Sequence, residues 1–345
     1  MKGRMVVLGH LNREEAAALM QDGQLVDLIL TPDVLAPGTI VRGVVERLMK
    51  GQGAAFLRLP DGQRGYLRER SGLREGRPML VQVRGVAEDG KAIPLSARLL
   101  LRGRHVLVTP DAPGVSISRR IRDLEIRAAL EALGRAQLDG RDYGMIMRSV
   151  AATAPQDEVA DELAALIEVA DRLLSEGDGP PEYLLDAPTA WEQAWMEWAE
   201  PAPDAIEEGE DSFDRCGVTD ALEALLSDLL PLPGGASAAI EPTRALVAID
   251  VNTGNDTSPA AALKANIALA RDLPRQLRLR GLGGQVAVDF APMPKRDRAT
   301  LDQVLQAAFK GEAAETTLIG WTTMGLYEIN RKRDRVPLMR LIGES

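Results

Sequence analysis

Ala245-Leu246-Val247-Ala248-Ile249-Asp250 runs on into Val251-Asn252-Thr253-Gly254, and a second run reads Gly283-Gly284-Gln285-Val286-Ala287-Val288-Asp289-Phe290. Each is a short apolar stretch, partly β-branched, that ends on an aspartate. Such runs bounded by glycine or polar residues predict strands buried on both faces. Between them Ala260 to Arg280 has helical character over about 20 residues. Strand, helix, strand predicts a crossover unit with the two strands parallel and close in one sheet. Both aspartates then emerge at the carboxyl edge, where α/β sheets bind ligands. Two adjacent carboxylates repel unless a cation lies between them, and all-oxygen donors suit Mg²⁺, with Mn²⁺ as an alternative. A single strand-end aspartate is more often a helix cap or turn residue; the matched pair weakens that plainer reading.

Composition sets bounds. The chain has 345 residues, room for two or more domains, and 45% hydrophobic with 27% charged residues, as soluble globular proteins do. No apolar run is long enough to span a membrane, and the start lacks a signal-peptide core, so a cytoplasmic protein is expected. One cysteine, Cys216, rules out an intramolecular disulfide and a cysteine-rich zinc site. The net charge of −10 is unevenly spread. Residues 155–214 hold 19 acidic residues against one basic, Arg172, a local −18 that leaves the remainder at +8. Phosphate affinity follows the local field, so the overall sign does not exclude nucleic acid. The acidic block reads foremost as solvated surface.

Earlier in the chain, 1–35 predicts a strand at Met5–Leu8, a polar helix from Arg13 to Asp22 and a strand near Leu25–Leu30, too little to bury a core alone. Gly38 to about Leu101 changes to short alternating strands punctuated by Gly51, Gly53, Pro60-Asp61-Gly62 and Asp89-Gly90, the pattern of a small β-barrel. Residues 38–98 carry 12 basic against 6 acidic side chains. Phe56 and Tyr66 fall in this basic stretch, as stacking platforms for single-stranded bases or as core aromatics. Helices are expected over Ile121–Leu133, capped by Ser118, and over 157–175, with Leu174 among its apolar residues. Trp191, Trp195 and Trp198 share one helical face, which favours packing. Pro201 to Asp211 reads as a flexible loop. Arg271, Arg275, Arg278 and Arg280 are a solvated face or phosphate contacts.

The stretches ALVAIDVNTG, RQLRLRGLGGQVAVDF and GLYEINRKR resemble the catalytic region of the ribonuclease E/G family of bacterial endoribonucleases. The resemblance implies an α/β multi-subdomain fold. It comprises a discontinuous ribonuclease-H-like scaffold (1–35 and 179–240), an OB-fold RNA-binding domain (36–112), a 5′-phosphate sensor region (113–178) and a DNase-I-like catalytic subdomain (241–345). It implies that Asp250 and Asp289 hold a catalytic Mg²⁺ and that Asn252 supports the reacting phosphate. Phe56, Tyr66 and Lys91 would contact RNA, Arg148 and Ser149 would read a 5′-monophosphate, and Arg331 or Arg333, in a basic helix, would touch backbone phosphates. The implied activity is cleavage of single-stranded RNA by metal-activated water, leaving 5′-phosphate and 3′-hydroxyl ends in RNA processing or decay. An RNA-binding or regulatory protein with little nuclease activity is the alternative. The sequence departs from the family pattern at Pro292, where a second acid stands, at Met324, where an aromatic stands, and in lacking the Cys-x-x-Cys that shares zinc between subunits. A homo-oligomer, if formed, is expected without that link.

Overall fold

Val247–Asn252 and Gly284–Asp289 are adjacent parallel strands in a computed structural model that describes residues 2–32, 35–49, 51–68, 72–87 and 90–342. The helix Pro259–Leu279 joins them. Ser258 caps it by accepting from the Ala261 amide, and Pro259 occupies the first turn, where its missing N–H is not needed. Leu269, Leu273 and Leu277 recur at helical spacing and are fully buried; Pro274 is buried too, inside a helix that continues past it. The crossover expected from the sequence is therefore present. Burial on both faces is not: Val247, Ile249, Val251, Val286 and Val288 face the helices, while Asp250, Asn252, Gln285 and Asp289 are exposed. The full sheet runs Leu229–Pro231, Ser237–Pro242, Val247–Asn252, Gly284–Asp289, Tyr327–Arg331, Thr316–Trp321 in spatial order. The helix Lys295–Phe309 packs beside the crossover helix, burying Leu301 and Leu305 in the same core.

The chain divides into two compact units, one made of Met1–Pro32 with Asp204–Ser345 and the other of Asp33–Pro203. In the first, residues 4–30 form an antiparallel meander of Arg4–Leu11, Glu14–Gln21 and Gln24–Leu30. The predicted helix over Arg13 to Asp22 is thus a strand. Its Glu/Ala content favours helix, but two-residue reversals flank it: Asn12 and Arg13 at φ 53° and 72°, Asp22 and Gly23 at 51° and 82°. Left-handed pairs of this kind match the twist of hairpin strands. Ala16, Ala17 and Ala18 are then wholly buried. Ala205–Glu208, inside the expected flexible loop, is a strand that pairs parallel with Arg4–Leu11. The basic stretch near the C-terminus is likewise the strand Tyr327–Arg331, not a helix, because alternate residues Tyr327, Ile329 and Arg331 must reach the core.

Charged side chains tie this unit together. Glu312, 10% exposed at its side chain, accepts from Arg331 at 3.0 Å and from Arg278. Arg278 also reaches Asp27 at 3.5 Å and the Val26 carbonyl, and Arg335 meets Asp27 at 2.5 Å. Arg275 binds Asp272 and the Leu25 carbonyl, and buried Arg280 donates to the Ser227 carbonyl. Three of the helix arginines read as phosphate contacts or solvated face are therefore internal ties. Asn266, fully buried in the crossover helix, donates to the Ala291 carbonyl and accepts from the Ala291 amide, both at 2.9 Å. It pins the chain two residues past Asp289.

In the second unit Ile40–Met49, Ala54–Arg58, Arg64–Leu67, Ile93–Ser96 and Pro78–Val83 pair in that order, and the last returns to the first. The result is a closed five-stranded, OB-like barrel around Val41, Leu57, Leu67 and Val81. Asp89, one of the turn signals, lies outside the described residues. Glu182–Leu185 adds to the barrel along Ile40–Met49. A four-stranded sheet follows, ordered Gly114–Ile117, Gly144–Met147, Val106–Thr109, Leu101–Arg102. The helices Leu124–Leu138 and Gln156–Ser175 share its core. Asp123, not Ser118, caps the former. Leu173 takes the buried place expected of Leu174, which is 40% exposed. The tryptophans separate on the helix Ala190–Trp198: Trp198 is buried, Trp195 is 37% exposed.

Breaking the charge chain at Glu312→Gln leaves buried Arg331 without its carboxylate and Arg278 with Asp27 alone, and is expected to cost about 3–5 kcal/mol in urea denaturation. Asn266→Leu strands the Ala291 amide and carbonyl, and the same measurement is expected to show a loss of about 1–3 kcal/mol for each orphaned group.

Candidate active site

Asp250 lies opposite Asp289 in the parallel ladder, the last step of a register that begins at Val247 and Val286. Paired residues on neighbouring strands stand about 4.8 Å apart and project to the same side. The shared side is the exposed face, away from the helices. Among the described residues, neither carboxylate takes a hydrogen bond or an ion pair, and no three His, Cys, Asp or Glu side chains gather closely enough to hold a metal. Two carboxylates abreast on an open face can share one divalent ion and leave most of its coordination to water, which is how Mg²⁺ is held.

Asn252 is two residues on from Asp250 and on the same face. Its side-chain oxygen accepts from the Gly254 amide at 2.8 Å, which turns the NH₂ group outward as a donor for an anionic oxygen. Gly254 makes this turn at φ +68°, and a side chain there would run into the Gly235 carbonyl, 2.5 Å from an added Cβ. Behind Asp289, Phe290 packs on Trp321 and Tyr327 at ring separations of 5.8 and 6.2 Å. Arg298 lies over Trp321 at 4.3 Å, and the indole N–H donates to Asp302. With Asn266, this cluster fixes the strand end; an asparagine amid a helix was the sequence signal for it.

In the other unit, Phe56 and Tyr66 face each other across paired strands with ring centroids 5.7 Å apart. Both are half-buried, while Leu57 and Leu67 beside them fill the barrel. The aromatic face is cationic: Arg58 pairs with Arg64, Arg47 stands opposite Phe56, and the Arg64 guanidinium lies 5.5 Å from the Phe56 ring. Lys91 is exposed three residues before Pro94, which pairs with Tyr66.

Other expected site residues are placed differently. Arg331 is 3% exposed, with its guanidinium on Glu312 and Thr316, so it is a structural cation and not a phosphate contact. Arg333 is half-buried, its guanidinium pressed against Gly284. Arg148 donates from one nitrogen to the carbonyls of Gly103 and Met196. Burial holds it below the ordinary arginine value, aided by Arg102 and opposed by Glu197 and Glu162. Ser149 opens the short 3-10 turn that follows. His105 is buried against Glu162 at 3.1 Å, a structural pairing, since the same carboxylate also caps the amides of residues 104–106.

A family profile described as the ribonuclease E/G family matches residues 100–206 and 189–334. A ribonuclease E from a Nostoc species is 26% identical over 388 aligned residues, covering 96% of this chain and 56% of that protein. Ribonuclease E of Escherichia coli is 25% identical across 99% of this chain and 38% of its own length. Ribonuclease G of the same organism is 25% identical across 86% of this chain and 73% of its own. The chain thus spans about half the length of the first relatives. A profile match across more than half of these residues, over the crossover sheet that carries Asp250 and Asp289, makes this chain a member of the ribonuclease E/G family.

Proposed function

We propose that this protein is a Mg²⁺-dependent endoribonuclease that cuts single-stranded RNA in RNA processing or decay, leaving 5′-phosphate and 3′-hydroxyl ends. The carrying observation is the registered pair Asp250 and Asp289, side by side and otherwise unengaged among the described residues. When bound, such an ion would supply charge to a phosphate oxygen and acidify a water. Asp250 and Asp289 hold it by two oxygen donors, and the outward amide of Asn252 orients the phosphate. The rigid strand end behind Asp289 keeps these groups in place without reorganisation.

Substrate selection falls to the barrel. A face of Phe56 and Tyr66 among Arg47, Arg58 and Arg64 suits unpaired bases, since aromatic rings stack on any base and the cations follow the backbone. Lys91 joins them at the rim. On this reading residues 1–35 and 179–240 would form the ribonuclease-H-like scaffold and residues 241–345 the DNase-I-like subdomain. Sensing of a 5′-monophosphate by Arg148 and Ser149 would rely on the guanidinium nitrogens left over from the two carbonyl bonds. Among the described residues, no helix is long and apolar enough to cross a membrane.

Incubation of the purified protein with a fluorescent single-stranded RNA is expected to give cleavage with Mg²⁺ and none with EDTA. Asp250→Asn and Asp289→Asn are each expected to abolish the cut while RNA binding persists. Near-normal Mg²⁺-dependent cleavage by either variant removes that residue from the site. Phe56→Ala and Tyr66→Ala are each expected to weaken binding by about 1–3 kcal/mol in fluorescence anisotropy, with affinity falling as salt rises. Unfolding by either change would assign that ring to the core.

A further inference from the structure

The row immediately behind the aspartates reads Glu241, Ala248, Ala287, Glu328 across four consecutive strands, by direct register at each step. Alternation puts all four on the exposed face, with the buried neighbours Ile240, Ile249, Val288 and Ile329 turned to the core. Glu241 is therefore diagonal to Asp250 and Glu328 diagonal to Asp289, about 7–8 Å away between Cα atoms. The floor between the two glutamates is made only of alanine methyls. Gly320, which has no side chain, is the residue paired with Glu328 on its far side. Among the described residues, neither glutamate's carboxylate takes a hydrogen bond or ion pair.

We infer that Glu241 and Glu328 are positioning residues that hold the water shell of the ion carried by Asp250 and Asp289. The inference rests on the metal reading above. Like charges on neighbouring strands destabilise a sheet, and four carboxylates around two alanines concentrate that repulsion at the one place where a cation is proposed. The glutamates stand too far back to join the aspartates as direct ligands, in keeping with the lack of a three-residue metal cluster among the described residues. Their reach suits hydrogen bonds to coordinated waters, and a strongly hydrated ion with two protein ligands has several to orient. The small floor leaves space for those waters. Farther from the carboxyl edge the same face turns neutral, with Gln285 opposite Asn330.

The test compares Glu241→Gln, Glu328→Gln and the corresponding Glu→Asp variants with the wild type, using Mg²⁺ and a fluorescent single-stranded RNA. Each Gln variant is expected to lower kcat about tenfold and to raise the Mg²⁺ concentration for half-maximal rate severalfold. RNA affinity measured in EDTA should stay within about twofold, and the Asp variants, which keep the charge, should recover part of the rate. Gln285→Ala, on the same face, should leave the rate unchanged. The basin is overturned if both Gln variants cut at the wild-type rate while Asp250→Asn is inactive, a result that spares the metal reading. A fall confined to one glutamate overturns the paired arrangement, and parallel loss of RNA affinity in EDTA overturns the water-holding role. A Gln variant that fails to fold leaves its Asp counterpart to decide, since wild-type dependence on Mg²⁺ there, with no loss of rate, also overturns it. No cleavage by the wild type sinks the parent reading as well.

Discussion

Glu312 must satisfy two arginines at once. Arg331 comes from the sheet, where it stands opposite Gly284, and Arg278 from the crossover helix, whose guanidinium goes on to Asp27 in the N-terminal meander. Charges this sheltered are tolerated only when each has its partner, so sheet, helix and meander must all be formed for any one of these groups to be content. An apolar contact would accept many small displacements; a chain of forks and carboxylates accepts few. These ties hold the end of the strand opposite Asp289, while at the carboxyl edge the Asn266 bonds hold Ala291.

Much of the sheet that carries Asp250 and Asp289 was legible because its signals are local. Apolar runs ending on aspartate, with a helical stretch between, fix strand direction and bring both acids to one edge. The barrel was legible for the same reason, through short alternating strands and glycine turns. What could not be read was set by distant partners. Glu14–Gln21 has helical composition, yet hairpins on either side and a sheet neighbour from residues 4–11 make it a strand. Arg331 looked like a phosphate contact because nothing nearby in sequence announces Glu312 as its partner. Ala205–Glu208 looked like loop because four residues become a strand only against an edge 200 residues away.

The charge distribution follows a similar logic. Acidic residues of the 155–214 block are partly consumed within the fold: Glu162 caps three amides and His105, Glu176 and Glu182 hold buried Arg42, and Asp171 takes Arg141 and Tyr143. The Tyr143 and Arg141 bonds keep the Asp171 carboxyl below its ordinary value. Burial and that same bond push the Tyr143 phenol up to about 12. The negative sum of the block therefore overstates the field it sends outward, while the cations around Phe56 and Tyr66 are exposed or only partly covered.

The parallel pairing of Met5–Leu8 with Ala205–Glu208 has a consequence for how the chain is made. A ribosome releases the first strands long before their neighbour exists, and the whole of residues 33–203 emerges in between. That intervening unit has its own cores and can close while the meander waits with one edge unpaired. Only after residue 208 is available does the edge gain its partner, and only after Arg335 does Asp27 gain its last cation. Synthesis order thus runs from the inserted unit outward, and the tie from Asp27 to Arg335 is made last.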